Sequence, residues 1–330
     1  MTDGSSTDRA PTDEDAPLFS LVSGEGDGFM LGIAAGDTAG GAWKLGYSAV
    51  TEQATIISYH LIEHGSIDPE RLVVELRELD GVQGAEPVFR AVTPEFRSWL
   101  DEAATGSPAP VADPTAENLV RASPVGAAFR RDADSVVQRA IEVSRIFAVD
   151  AASIIAGVIG ASAVAAAAFG QSGRDLVAGV SEAVVGVADQ IGAQAGGVER
   201  IDSLERELLD SVERVGVLTA EETNAALGGV EGDPLKLAIA GLLLAAPMAE
   251  PPHRAIEEAA KLGGSVLGGF VGAVVGARVG IRAWPWPFAN DTWFAEIGRR
   301  VVRGPGEVRD LPIPYAVEHH LISGAPDGFH

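Results

Sequence analysis

Cysteine is absent from the 330 residues of this chain, which excludes disulfides, thiolate metal sites and cysteine nucleophiles. Aromatic residues make up only 6% of the sequence and lysine occurs three times, whereas glycine occurs 40 times. A glycine-rich chain with few large rings is expected to pack its helices through close backbone contacts. The sequence therefore predicts a core that depends on small side chains and not on aromatic clusters.

Positive charge is also scarce, because 24 basic residues face 47 acidic ones and leave a net charge of −23. This charge repels phosphate backbones and anionic lipid surfaces, so neither nucleic acid nor a membrane is expected as a partner. Residues 1–20 read "MTDGSSTDRAPTDEDAPLFS" and contain no apolar run of signal-peptide length. We predict a disordered acidic tail on a cytoplasmic protein.

Two apolar segments, residues 147–170 and 262–281, are long enough to cross a bilayer. The first is mostly alanine and contains Asp150, and the second is rich in glycine and contains Arg278. Lipid-facing helices are normally richer in leucine, isoleucine and phenylalanine. Both segments are therefore predicted to be buried helices of a bundle.

Glycine recurs every fourth residue in two stretches near opposite ends of the chain. A glycine inside a helix costs about 1 kcal/mol relative to alanine, so five in a row require compensating contacts. We predict that the two helices pack against each other through their glycine faces. The stretches are Gly24, Gly28, Gly32, Gly36 and Gly40, and Gly264, Gly268, Gly272, Gly276 and Gly280.

Helical periodicity dominates the rest of the chain, and alternating strand patterns are lacking. The predicted fold class is all-α, a single compact multi-helix domain spanning residues 21–303, preceded by the 1–20 tail and followed by an irregular segment at 304–330. Beyond the two glycine stretches, helices are predicted near 51–64, 68–80, 133–146, 150–169, 174–190, 200–215, 219–227, 234–247, 253–262 and 291–302.

Five motifs resemble those of the ADP-ribosylglycohydrolase family. They are "GFMLGIAAGDTAG" (Gly28 to Gly40), "SAVTEQATIISYHLIEHGSIDPERL" from Ser48, "RASPVG" from Arg121, "SRIFAVDAA" from Ser144 and "GGSVLGGFVGAVVGARVG" ending at Gly280. The resemblance covers most of residues 24–295. It implies an all-α enzyme fold that cuts the bond between ADP-ribose and a modified side chain with two magnesium ions.

The chain departs from the family where the metal ligands are expected. The family's Thr-Asp-Asp cluster falls on Ser48-Ala49-Val50, and its Asp-x-Asp-Thr cluster falls on residues 265–268, which read Ser-Val-Leu-Gly. A family glutamate falls on Lys44 and a family histidine on Arg145. Magnesium needs converging carboxylate and hydroxyl oxygens. The sequence therefore predicts that the magnesium pair, and any other cofactor, is absent.

Candidate site residues follow from this alignment. Asp37 and Glu52 are the acids nearest the motifs and are the candidates for any catalytic role. Structural roles, as helix-end hydrogen-bond partners, are equally consistent with these two positions. Arg121 is the foremost candidate for ligand contact because arginine suits bidentate phosphate binding. The ligand-binding candidates are Arg121, Lys44, Ser48, Thr51 and Ser265.

Three further motifs were weighed and given structural interpretations. "HLIEH" at His60 to His64 fits an inverted zinc-peptidase pattern, but a polar last helical turn before Gly65 explains it better. "WPWPF" at 284–288 could stack on a base, and is assigned to plugging the core. "EHHL" at 318–321 is treated as an incidental surface segment.

Three functional hypotheses remain open from the sequence. The first is a non-catalytic binding or structural protein, with an ADP-ribose-like or other small anion as its ligand. The alternative is a metal-independent or divergent hydrolase that cleaves an ADP-ribosyl or other glycosidic bond with protein groups. The third is a subunit whose glycine faces serve oligomerisation.

Overall fold

The computed structural model describes residues 26–41, 47–80, 89, 91–106, 110, 113–195, 206–208, 210–216, 218–247, 252–280, 290–308 and 311. These residues contain helices and no β-strand, so the predicted all-α fold is confirmed. Residues 206–208 and 210–214 are also helical. The helices are α1 (Phe29–Ala39), α2 (Ala49–His64), α3 (Pro69–Asp80), α4 (Pro94–Ala103), α5 (Asn118–Arg121), α6 (Ser123–Ala128), α7 (Ala133–Phe147), α8 (Ala151–Ala168), α9 (Gly173–Ala195), α10 (Ala220–Ala226), α11 (Pro234–Ala245), α12 (His253–Val279) and α13 (Asp291–Arg303).

The glycine faces of α1 and α12 are in direct backbone contact, as predicted. The helices run antiparallel and touch at every fourth residue. A Cβ atom added at any of these α1 glycines would overlap the backbone of α12. The glycine spacing thus fixes both the register of α1 against α12 and the short distance between the two helices. The opposed residues are Gly28 with Gly276, Gly32 with Gly272, Gly36 with Gly268, and Gly40 with Ser265.

Helix ends lie where side-chain caps and glycines occur. Ser48 caps α2, and Gly65 ends it in the left-handed conformation with φ of 68°. Asp68 accepts a hydrogen bond from the amide of Arg71 at 3.2 Å and so begins α3 as predicted. Asp150 caps α8 by accepting a hydrogen bond from the amide of Ser153 at 2.8 Å. The Ser48 cap therefore fixes where α2 starts, and the candidate site described below lies at that point.

Helices α8 and α12 are long and apolar enough to cross a membrane by length and composition alone. Within their most apolar windows, 83% of the residues of α8 and 61% of those of α12 are buried inside the protein. A core helix of a globular protein passes the same test. Glycines again allow the close packing of α8, since a Cβ at Gly160 would overlap the carbonyl oxygen of Leu119.

The predicted break between a helix at 253–262 and the following glycine helix is present, because α12 is kinked at Gly263 (φ −138°) and Gly264 (φ 59°), where the backbone is not helical. One feature differs from the sequence prediction. Helix α4 was not predicted, and its rings form an aromatic cluster that the low aromatic content argued against. Trp99 stacks on Phe96 at 5.8 Å between ring centroids and meets Phe147 at 5.0 Å. A few aromatic residues are enough to form a cluster here because they lie next to one another in the fold.

The hydrophobic core is one contiguous cluster that extends from Phe29 to Leu311. The predicted tail at 1–20, Lys44, the "WPWPF" segment and the "EHHL" segment lie outside the described residues. Nothing in the described part of the chain divides the core into separate units.

Candidate functional site

A buried polar cluster lies where α1 ends, α2 begins and α12 is kinked. Asp37 is at its centre and has no exposed surface. Its carboxylate accepts hydrogen bonds from the Ser48 amide at 2.8 Å and the Ser48 hydroxyl at 2.9 Å. It also accepts from the Thr51 hydroxyl at 2.7 Å and the Thr51 amide at 3.2 Å. Four donors from the first turn of α2 therefore surround one acid of α1.

These contacts explain why the sequence folds this way at the start of α2. The first amides of a helix have no partner within the helix, and an acid placed there satisfies them and favours the positive end of the helix dipole. Here the acid comes from another helix. The Ser48 hydroxyl completes the cap by accepting from the amide of Val50 at 3.3 Å. Asp37 thus connects α1 to α2 in the core.

Burial raises the pKa of Asp37 above its ordinary value, and the hydrogen bonds from Ser48 and Thr51 act in the opposite direction. Oδ2 accepts from both amides and from the Thr51 hydroxyl, and Oδ1 accepts from the Ser48 hydroxyl. An acid with four donors from one helix end is well placed to hold two helices together.

The kink of α12 brings Ser265 to the same cluster. Its hydroxyl donates to the backbone carbonyl of Asp37 at 3.3 Å. Gly264 adopts the left-handed φ of 59° just before it, a conformation that favours glycine. The structure therefore brings together four of the seven candidate residues, Asp37, Ser48, Thr51 and Ser265. Glu52 follows Thr51 on α2 and is also buried.

The apolar residues at the expected ligand positions face hydrocarbon. Val50 is 5% exposed and lies beside Gly269 of α12. Leu267 is fully buried, with its methyl groups against Gly241 of α11 and Gly263. Neither side chain has an oxygen to offer. Both contribute to packing between helices.

A magnesium pair does not fit this donor set. Magnesium requires near-octahedral oxygen coordination, normally with carboxylates. At the motif positions the chain supplies the hydroxyls of Ser48 and Ser265, and both are engaged with Asp37. The segments next to the cluster that lie outside the described residues read "AWKLG" at 42–46 and "IRAWPWPFA" at 281–289, and neither contains an acid.

Arg121 lies in the core and is 3% exposed. Its guanidinium donates to Gln53 of α2 at 2.5 Å, to Asn118 at 3.2 Å and to Glu117. It also stacks over the ring of Phe147 at 4.2 Å. These partners were not identified from the sequence, although Glu117 at the i−4 position was a readable signal.

Burial lowers the pKa of Arg121, and the charge of Glu117 opposes that shift. A ligand would have to displace one of these partners to reach the guanidinium. Ligand contact by Arg121 therefore stays a prediction, as does any role of Lys44. Arg145, at the family's histidine position, is exposed on α7.

His60 and His64 form a second polar cluster with Glu75, which the sequence analysis did not connect to them. The Nδ1 atom of His60 lies 2.8 Å from Glu75, and the Nε2 atom of His64 lies 3.4 Å from it. The Nε2 atom of His60 accepts a hydrogen bond from the amide of Asp68 at 3.0 Å. His60 thus connects α2 to α3 in the protein interior, and its contacts are with side-chain and backbone groups of the α3 region and not with the last carbonyl groups of α2.

A metal ion is disfavoured at this cluster by the hydrogen bonding of His60. A metal-binding histidine donates its other ring N–H to an acceptor. Here the other ring nitrogen faces an N–H group of Asp68, so a metal on Nδ1 would set two N–H groups against each other. Glu63, the acid of the "HLIEH" pattern, lies at the surface with its side chain 48% exposed. The cluster is therefore explained by helix packing.

Glu75 gives a prediction for pH dependence. Burial alone would raise the pKa of Glu75, but His60 and His64 outweigh that effect and hold the pKa below its ordinary value of 4.5. A carboxylate with a lowered folded pKa stabilises the protein above its unfolded pKa and loses this contribution as the pH falls through the folded value. We expect Glu75→Gln to reduce stability near neutral pH and to approach wild type below about pH 4, as measured by denaturant unfolding at several pH values.

The control for this experiment is Glu70→Gln, an exposed carboxylate on the same helix. It removes one negative charge without touching the histidines. A pH profile of Glu75→Gln that runs parallel to that of Glu70→Gln would contradict the role of the histidine contacts.

The fold and the site together define an all-α protein in which a glycine-packed helix pair ends at a buried acid. A model of the family described as "ADP-ribosylglycohydrolase" matches residues 25–309. The chain belongs to the ADP-ribosylglycohydrolase family.

Among solved structures, one described as an "ADP-ribosylglycohydrolase-related protein complex" is similar to this chain. It shares 17% identity and a TM-score of 0.58, and the match covers 85% of this chain and 97% of the other. At that identity the likeness shows the fold alone. A comparison with curated proteins gave no match.

Proposed function

We propose that this protein is a family member that binds a small ligand or acts structurally, without magnesium-dependent hydrolysis. The observation that carries the proposal is the hydrogen bonding of the Asp37 carboxylate. Asp37 is the acid at the centre of the polar cluster, and four donors of Ser48 and Thr51 already bind it. The Asp37 carboxylate therefore acts as a cap for the start of α2.

The apolar neighbours support the same conclusion. Two of the positions where the family resemblance expects metal ligands hold Val50 and Leu267, whose side chains are buried in hydrocarbon contacts. Desolvating divalent ions without oxygen donors is strongly unfavourable. The change affects both helices, so no single substitution restores the metal ligands.

The ligand proposed for this protein is an ADP-ribose-like anion, on the strength of the family that the chain belongs to. Lys44, four residues before Ser48 in the sequence, is the predicted source of positive charge for such an anion. Arg121 would keep its role of holding α5 against α2.

The experiment is a pair of calorimetric titrations of the full chain, one with magnesium chloride and one with ADP-ribose, together with thermal melts. We expect magnesium to give no binding heat and no change in melting temperature. ADP-ribose is expected to raise the melting temperature, by an amount equivalent to about 2.7 kcal/mol at 100 times its dissociation constant. Sodium sulfate at equal ionic strength controls for general salt effects.

Two results would contradict the proposal. One is saturable magnesium binding. The other is release of ADP-ribose from a modified arginine or serine peptide, which would favour the divergent-hydrolase alternative. In that case a loss of activity in Asp37→Asn or Glu52→Gln, with the fold retained, would identify the acid responsible.

A further inference from the structure

A cavity lies at the opposite end of α1 from Asp37. It has a volume of about 640 Å³ and is bounded by the residues before α1, the α6–α7 connection and the end of α13. Helix α1 has 11 residues and so separates the cavity from the polar cluster by about 16 Å. We call this cavity the arginine cleft. Its charged lining residues are Asp27, Arg130, Arg131, Asp132, Arg299 and Arg303.

The charge of the cleft is opposite to that of the whole chain. Four arginines face two aspartates there, although acidic residues outnumber basic ones overall and leave a net charge of −23. Asp132 is already engaged as the cap of α7, accepting from the Ser135 hydroxyl at 2.7 Å and its amide at 3.2 Å. The local excess of positive charge is therefore a property of this cavity.

Helix chemistry explains some of these arginines, but not all. Arg299 pairs with Glu296 at 3.0 Å on the same helix, and Arg303 lies in the last turn of α13, where a cation favours the helix dipole. Arg131 lies between α6 and α7, where neither an ion pair in the described part of the chain nor the end of a helix dipole explains its charge. Within the described residues, the guanidinium groups of Arg131 and Arg303 are exposed and make no hydrogen bond or ion pair.

The floor of the cleft is rigid. Arg130 donates to the carbonyl oxygens of Ala127 at 3.1 Å and Val302 at 3.0 Å, which fixes it across the junction of α6 and α13. A Cβ atom at Gly298 would overlap the carbonyl oxygen of Asp27, so α13 is pressed against the start of α1. The backbone segments that carry these arginines are thus fixed relative to one another before any ligand arrives, which limits the entropy lost on binding.

We propose that the arginine cleft binds a small molecule that carries a diphosphate or two phosphate groups. The guanidinium group matches phosphate oxygens in a bidentate geometry. The volume lies in the range of about 300–1,000 Å³ typical of small-molecule sites, and the negative charge of the whole chain opposes nucleic acid. The proposal is independent of the function assigned to the Asp37 cluster, because the two sites share no residue.

The test is calorimetric titration of the full chain with inorganic pyrophosphate at low ionic strength. We expect saturable one-to-one binding that weakens as salt is added. The double variant Arg131→Gln/Arg303→Gln is expected to lose affinity by about tenfold for each arginine removed, with an unchanged melting temperature. Both side chains are exposed, so the fold is not expected to depend on them.

The matched control is Arg174→Gln/Arg254→Gln, which removes two exposed arginines from other elements. It should bind pyrophosphate as wild type does. The proposal is overturned if wild type gives no saturable heat, or if the cleft variant and the control lose affinity equally. Pyrophosphate contains no ribose, so a failure here leaves the ADP-ribose titration as a separate test.

Discussion

Gly32→Ala is expected to destabilise the protein by about 3 kcal/mol or more, because its Cβ atom would overlap the carbonyl oxygen of Gly272. A methyl group normally stabilises a helix relative to glycine by about 1 kcal/mol, so the expected sign is opposite to that of helix propensity. Backbone atoms cannot swing aside as a side chain would. The helices α1 and α12 would have to separate. Denaturant unfolding followed by far-UV circular dichroism measures the change.

Gly186→Ala is the matched control for this substitution. Gly186 lies in the interior of α9, is exposed and has nothing within 4 Å of an added Cβ atom. The same chemical change is therefore expected to stabilise the protein, by about 0.5–1 kcal/mol. If the two variants shifted stability in the same direction, the close contact of the glycine faces would be wrong.

Asp37→Ala is expected to have an effect of similar size, about 3–5 kcal/mol of lost stability. The substitution leaves the two amides and two hydroxyls of Ser48 and Thr51 without their acceptor in a buried place. Each unsatisfied buried donor costs about 1–3 kcal/mol, reduced where water or repacking compensates. The measurement is again the free energy of unfolding.

Asp132→Ala is the control for Asp37. Asp132 is an exposed cap that accepts from the amide and hydroxyl of a single serine, Ser135. Exposed caps are worth about 1 kcal/mol. If both alanine variants lost the same stability, Asp37 would be an ordinary cap and not the connector of α1 to α2. Asp37→Asn, which keeps one acceptor oxygen, is expected to fall between them.

The sequence predicted most of the helices because the signals that form them are local. Gly65 and Asp68 end one helix and begin the next within a few residues, and Asp150 caps α8 directly. The contact of the glycine faces was also predictable, since five spaced glycines are unfavourable unless another backbone approaches. The break in α12 was predicted as a boundary between two helices, but the left-handed φ of Gly264 was not, because a helix pattern does not show a dihedral angle.

The polar clusters were harder to predict, since they depend on contacts between distant segments. Glu75 meets His60 only because α3 folds back along α2. Arg121 resembles a ligand-binding arginine in sequence, whereas in the structure Gln53 and Glu117 enclose it. Ser48 and Ser265 both contact Asp37 although they are far apart in the chain, and only the family resemblance had linked their two motifs.

The antiparallel contact of α1 with α12 also constrains the order of folding during synthesis. Gly32 and Gly272 meet although they are about 240 residues apart in the chain. At about 5–20 residues per second, the ribosome needs roughly 10–50 s to supply the second helix after the first. Throughout that interval the apolar N-terminal helix has no partner for its glycine face. The nascent chain therefore needs protection from aggregation until its final helices emerge.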